Sequence, residues 1–444
     1  MTSPLLARAV ALASDTEVVE IGRGVLADVA HHVAGLGAPL LIVADQTTWA
    51  AAGERVSGLL AEAGVPMVAP LIFPGLPSLH PTRETCDVVR AALEGSGACG
   101  VAVGSGSLND VVKRASFEVG RPYAVIATAA SMDGYTGFGA PITVDGLKVT
   151  MPCPAPRVAI LDLDVMAAAP APMVASGYGD LLAKLPGGAD WILADAAGVE
   201  PIDPVAWELV QDGVREALAH PDELAAGDAA AYQGLVEGLC LSGLAMQVYE
   251  GTRPASGAEH YFSHIWELAG LGADLEPPLS HGFKVGIGTL TMTAFTEALL
   301  ARDLSRLDID VAVNRYPTWA EVEADVSRHL SGPLVANAIK ETRVKYVDEE
   351  GLRDRLGRIA SHWDAVRARV EAQLMPARVL QDMLERVGAP SRPEHIGLTR
   401  EDVRATFPKA MYYRSRYTAL DVAREAGIFD ELVAEVFAPG GFWG

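Results

Sequence analysis

Between residues 39 and 161, short β-like runs alternate with helical patterns, and this alternation constrains the fold more than any other feature of the chain. The run Pro39-Leu-Leu-Ile-Val-Ala44 ends at Asp45, and Trp49 to Ala63 then follows a helical period. Met67 to Phe73 is the next strand candidate; Pro70 within it favours a sheet edge, because proline cannot donate to a ladder. Glu84 to Leu93 reads as helix, Gly100 to Val103 as strand, the stretch from about Leu108 as helix, and Tyr123 to Ala127 as strand. The turn Asp145-Gly146 between β-like residues suggests a hairpin, and Val158 to Leu161 reads as the last strand. Strands that alternate with helices imply a parallel sheet covered on both faces. From about Ala168 onward the pattern is helical, as in Trp207 to Ala219, Trp319 to Leu330, Leu352 to Leu374 and Thr418 to Ala426.

A chain of 444 residues is too long for one small core and is expected to form two domains. The net charge of −22 argues against a nucleic-acid groove or an anionic membrane surface, both of which select Lys and Arg. An anionic substrate would therefore need a local basic pocket. Cys86, Cys99, Cys153 and Cys240 are widely separated with no CxxC pair, so reduced thiols and a cytoplasmic location are expected. The apolar N-terminal run is broken by Arg8 with no basic region before it and does not read as a signal peptide. No stretch approaches the roughly 18 apolar residues a membrane helix requires.

Gly104-Ser105-Gly106-Ser107-Leu108-Asn109 follows a strand pattern and opens a helix. Glycines there let backbone N–H groups approach a pyrophosphate, and the helix N-terminus adds partial positive charge. Asp45, at the end of an earlier strand, is placed to accept hydrogen bonds from a ribose, which would favour NAD over NADP. In this His-poor chain, Asp180, His260 and His281 supply one carboxylate and two imidazoles, each expected near a helix start. Three such ligands with one open position is how a catalytic divalent ion is held. Ser256-Gly-Ala-Glu259 fits a capping box, which places His260 and His264 on one face of the helix that follows. The fold class expected is an α/β dinucleotide-binding domain with a parallel sheet over residues 1–165, followed by an all-α metal- and substrate-binding domain over residues 166–444.

Several segments resemble bacterial sn-glycerol-1-phosphate dehydrogenase. They are Ser131-Met-Asp-Gly-Tyr-Thr136, Gly139-Ala-Pro-Ile142, Gly177-Tyr-Gly-Asp-Leu-Leu182, Arg253-Pro-Ala-Ser-Gly-Ala-Glu-His260 with Ser263-His264, His281 to Gly288, Ala389 to Ile396, and Tyr413 to Asp421. The wider superfamily holds iron-type alcohol dehydrogenases, glycerol dehydrogenases and dehydroquinate synthases. The resemblance implies that Asp180, His260 and His281 bind one divalent metal ion, with Zn, Ni and Fe all acceptable to the ligand set. It implies that Asp133 and His264 contact the substrate with Asp180 close by, and that Gly104 to Asn109 together with Thr128 to Ser131 line NAD or NADP. The reaction implied is reduction of dihydroxyacetone phosphate to sn-glycerol 1-phosphate, an enantiomeric phospholipid precursor.

The expected partner is thus a small phosphorylated polyol or ketone, with no nucleic acid and no membrane insertion, and a homo-oligomer is expected. Lys148, Lys184, Arg253 and Lys284 are the cations beside the motifs that could meet the phosphate. Two departures stand out. Gly137 replaces the Ser usual after the D-G-Y-T run, and Leu185-Pro186-Gly187-Gly188 follows Lys184 where Tyr-Thr is usual. A Pro and two Gly are expected to interrupt or reshape that helix. A related polyol dehydrogenase, a dehydroquinate-synthase-like cyclase and a non-catalytic nucleotide-binding protein are the competing readings.

Overall fold

The computed structural model describes residues 3–37, 39–144 and 147–444. Among them, six strands form one parallel sheet: β1 (Val18–Gly22), β2 (Leu40–Asp45), β3 (Leu71–Phe73), β4 (Cys99–Gly104), β5 (Tyr123–Ala127) and β8 (Val158–Asp162), in the order β1-β8-β5-β4-β2-β3. The central strands β4, β5 and β8 are buried along their whole length, which is why they read as unbroken apolar runs rather than alternating ones. β3 is one of the two edge strands, with Pro70 just before it. An antiparallel pair, β6 (Ala140–Val144) and β7 (Leu147–Met151), forms the expected hairpin, while its turn residues Asp145 and Gly146 lie outside the described residues.

The chain passes from β2 to β3 in one direction and then returns across β2 to β4. The carboxyl ends of β2 and β4, at Asp45 and Gly104, therefore flank a topological switch point, where open α/β sheets bind ligands. β1 and the helix Pro4–Leu12 were not expected from the sequence pattern. That helix starts with Ser3 as N-cap and Pro4 in its first turn, and it buries Leu6 and Ala9 against the helix Ala229–Tyr249.

After β8 every named element is a helix among the described residues. Leu352 to Leu374 is two helices, Glu349–Ser361 and Trp363–Gln373, separated at His362, where the backbone leaves the helical region. No described helix is long and apolar enough to cross a membrane. The expected interruption occurs, but one turn before Pro186-Gly187-Gly188: one helix ends at Leu182 and a second runs unbroken over Lys184–Ala196. Pro186 sits in its first turn, where a missing N–H costs little, and the break falls at Ala183 instead. Gly187 and Gly188 serve packing. A Cβ on Gly188 would lie 2.6 Å from Gln373 Nε2, and one on Gly187 would lie 3.3 Å from the Gly257 backbone nitrogen.

Candidate metal and coenzyme site

Three helices bring the metal-type residues together. Asp180 lies in the last turn of Ala171–Leu182, His260 and His264 lie on Ala258–Leu268, and His281 is the first residue of His281–Leu300. The expectation that Asp180 sits near a helix start is wrong. That helix begins with Pro172 in its first turn, and Gly177 and Gly179 are helical residues needed for close approach rather than for a turn. A Cβ on Gly177 would fall 2.0 Å from the Ala130 carbonyl oxygen, and one on Gly179 would fall 2.6 Å from the Gly282 carbonyl oxygen. Gly282 is the reciprocal contact: its Cβ would be 1.9 Å from the Ser176 carbonyl oxygen. Gly179 and Gly282 let two helix backbones meet, which sets Asp180 beside His281, while Gly177 lets the first of these helices approach the loop after β5. We expect Gly282→Ala to lower the unfolding midpoint in urea by an amount equivalent to about 3 kcal/mol, because backbone must move to admit the methyl group. An unchanged midpoint would show that the helices do not touch here.

The capping box at Ser256 is also corrected. The N-cap of Ala258–Leu268 is Gly257, and Ser256 Oγ donates instead to the Thr252 carbonyl. Asp190 satisfies two helix starts at once. Its Oδ2 accepts from Ala258 N and its Oδ1 from Ala419 N, both at 2.8 Å. Burial, then the neighbouring Glu259, pushes the Asp190 carboxyl up to about 7.

Ligand-type atoms of Asp180, His260 and His281 all lie within 4.8 Å of one another. His260 Nε2 is 3.5 Å from Asp180 Oδ1. This is close to the roughly 3.4 Å expected between two tetrahedral ligands of an ion bound at about 2.1 Å. The other nitrogen of each ring is held from behind: His260 Nδ1 by Glu259 Oε1 at 2.9 Å, and His281 Nδ1 by Glu267 Oε1 at 2.7 Å. Carboxylates in that position fix the tautomer that presents Nε2 and raise the basicity of the ring. Burial opposes charge on His260, but its bonds to Asp180 and Glu259 outweigh it and hold the ring at about 9. The pocket thus favours positive charge at Nε2, and the residues fit a divalent cation. Glu267→Gln should weaken that cation about 10- to 100-fold, measured by competition with a chelator; unchanged affinity would dismiss the orienting role.

A second set, His264, Glu267 and His281, shares His281. The His264 and His281 rings are stacked with centroids 5.8 Å apart, and His264 Nδ1 is buried without a hydrogen-bond partner.

Lys184 and Arg253 do not serve as free phosphate cations. Lys184 is fully buried, with its Nζ 2.8 Å from Asp133 Oδ2 and 3.2 Å from Asp180 Oδ1. Burial works against its charge, yet the two carboxylates hold the ammonium above its ordinary range. Asp180 shows the converse: burial would raise it, but Lys184 and then His260 hold it well below the usual carboxylate range. Arg253 is 1% exposed and donates to the Asp190 carbonyl oxygen. Lys284 Nζ stands 3.6 Å from Glu267 Oε1, and the side chain of Lys148 lies outside the described residues.

The loop after β5 joins the cation pocket to the glycine turn. Thr128 N donates to the Gly104 carbonyl, Ser176 Oγ donates to the Ser131 carbonyl, and Asp133 N donates to Asp180 Oδ2 at 3.0 Å. Ser242 Oγ donates to Asp133 Oδ2 at 2.8 Å. Lys113 staples the loop from below, donating to the carbonyls of Gly134, Gly137 and Gly139. Sequence reasoning missed Lys113, Ser242, Asp190, Glu259 and Glu267. Only Glu259, next to His260, carried a local signal.

The helix after the glycine turn spans Gly106–Glu118, and Ser105, its N-cap, makes no side-chain capping bond. Ser105, Gly106 and Ser107 are half-buried at the carboxyl end of β4, so first-turn N–H groups can meet an anion. A Cβ on Gly104 would fall 2.4 Å from Leu108 Cδ1, and one on Gly106 would fall 2.9 Å from Met132 Cε, so both glycines keep the turn tight. Leu108 and Asn109 are buried, and Asn109 bonds Tyr123 and the Gly134 carbonyl, so their side chains support the turn from within. Asp45 Oδ1 caps the following helix through Thr48 N at 2.8 Å. The cradle fits a dinucleotide.

A family model described as iron-containing alcohol dehydrogenase matches residues 20–170. A glycerol-1-phosphate dehydrogenase (NAD(P)+) of Halalkalibacterium halodurans is 37% identical over 255 residues, which cover 57% of this chain and 63% of that relative's own length. The protein of the same name from Aeropyrum pernix is 32% identical over 278 residues, covering 62% of this chain and 76% of that one. An iron-containing alcohol dehydrogenase structure from Corynebacterium glutamicum superposes with a TM-score of 0.59 at 15% identity, covering 95% of each chain, and so shares the fold.

Proposed function

This chain belongs to the glycerol-1-phosphate dehydrogenase family of iron-containing alcohol dehydrogenases, and we propose that it interconverts dihydroxyacetone phosphate and sn-glycerol 1-phosphate by NAD(P)-linked hydride transfer. The observation that carries this reading is the convergence of Asp180, His260 and His281 within 4.8 Å, joined to the coenzyme turn by a loop whose Asp133 N bonds Asp180. Bound there, a divalent ion supplies Lewis-acid polarisation of the ketone carbonyl, and the reduced coenzyme supplies hydride.

The remaining work belongs to side chains. Asp133, held by Lys184 and Ser242, presents a fixed carboxylate to a substrate hydroxyl. His264, whose ring burial holds well below its ordinary value, stays neutral and can pass or hold a proton at Nδ1. Glu259 and Glu267 fix the two ring ligands. Gly104 to Ser107 would hold the pyrophosphate, with Leu108 and Asn109 supporting the turn and Thr128 to Ser131 lining the rest of the coenzyme. Asp45, whose Oδ1 already caps the next helix through Thr48 N, would meet the ribose with its other oxygen, which would favour NAD over NADP. Residues 1–165 form the coenzyme half and 166–444 the metal and substrate half, working as a homo-oligomer in the cytoplasm.

The test is coenzyme oxidation with NADH and NADPH against dihydroxyacetone phosphate, dihydroxyacetone and longer keto-polyols, after loading with Zn, Ni or Fe. Stoichiometric coenzyme oxidation with the phosphorylated ketone is expected. Turnover confined to an unphosphorylated polyol would replace the substrate assignment, and no net oxidation with any ketone would refute the activity.

A further inference from the structure

We propose that Arg414 is the phosphate-binding residue of the substrate pocket, the guanidinium that distinguishes a phosphorylated ketone from an unphosphorylated one. This rests on the reaction proposed above. A phosphate dianion one methylene away from the reacting carbonyl must meet a cation beside the His281 and His264 rings. The described candidate cations beside the motifs are engaged elsewhere: Lys184 with two carboxylates, Arg253 with the Asp190 carbonyl, and Lys284 beside Glu267. Arg416 donates to the Ser256 carbonyl, to Ser256 Oγ at 2.9 Å and to Thr252 Oγ1 at 2.7 Å.

Arg414 differs from all of these. It is half-buried, and its guanidinium makes no hydrogen bond or ion pair among the described residues. Its Cζ lies 5.4 Å from the Tyr413 ring centroid. That ring is 5.8 Å from His264, which is in turn 5.8 Å from His281, so rings link the guanidinium to the cation pocket. A planar guanidinium with its donors unused matches two phosphate oxygens at once, which an ammonium cannot do.

The experiment compares wild type, Arg414→Gln and Arg414→Lys in two ways. The first is the ratio of kcat/KM for dihydroxyacetone phosphate to that for dihydroxyacetone. The second is direct calorimetric titration of the metal-loaded protein with inorganic phosphate. In Arg414→Gln the ratio should fall about 10- to 100-fold and phosphate affinity should fall similarly, with partial recovery in Arg414→Lys. A merely structural role would depress both substrates alike and leave the ratio unchanged, which would overturn the assignment. If neither ketone is turned over, the proposed reaction fails while the titration still decides on Arg414. Phosphate that binds Arg414→Gln as tightly as wild type, or that does not bind wild type, overturns it.

Discussion

His260→Ala should leave a folded protein that no longer retains a divalent ion after desalting and whose kcat/KM falls by about a thousandfold or more. The size follows from losing one of three ligands together with the carbonyl polarisation the ion supplies, about 4 kcal/mol of transition-state stabilisation. Folding should survive, because alanine suits a helix interior and the ring makes its contacts to Asp180 and Glu259 rather than to the apolar core. Metal analysis and a thermal melt on the same preparation check both parts. A variant that keeps one ion per chain would move the centre to His264, Glu267 and His281, the overlapping set on the other side of the shared ring.

Lys184→Met is expected to have the largest effect on stability, costing about 3–5 kcal/mol in the presence of chelator. The substitution fits the space but leaves Asp133 and Asp180 facing each other without their shared ammonium. What remains is Ser242 Oγ on Asp133 and the Asp133 backbone N–H on Asp180, too little to carry one buried and one half-buried charge. Urea unfolding measures the loss. Saturating zinc should restore part of it, since an ion at Asp180 replaces some of the missing charge and binds only the folded form. A midpoint unchanged in chelator would mean that the Asp180 carboxylate is solvated, contrary to its burial.

The strands were legible because a central parallel strand is apolar along its whole length and bounded by turn residues, so β2, β4, β5 and β8 each announce themselves locally. β1 escaped notice: Glu20 interrupts its apolar run, and its pairing with β8, well over a hundred residues away in the chain, makes it a strand. The misplacement of Asp180 has a similar cause. Glycines in sequence suggest a turn, whereas Gly177 and Gly179 are helical residues whose missing side chains admit another backbone. Lys184 and Arg253 read as available cations because sequence records charge but not what the charge faces.

The sequence by itself determined the chemical inventory and the local elements: an α/β half, a helical half, a glycine turn after a buried strand, and one carboxylate and two imidazoles suited to a divalent ion. Local propensity and residue chemistry suffice for these. The tertiary structure alone decided which side chains meet. Close backbone contacts at Gly179 and Gly282 set Asp180 against His281, Glu259 and Glu267 back the two rings, and Lys184 turns inward while Arg414 bonds no described residue. Such pairings depend on distances between segments far apart in the chain, and no local pattern encodes those distances.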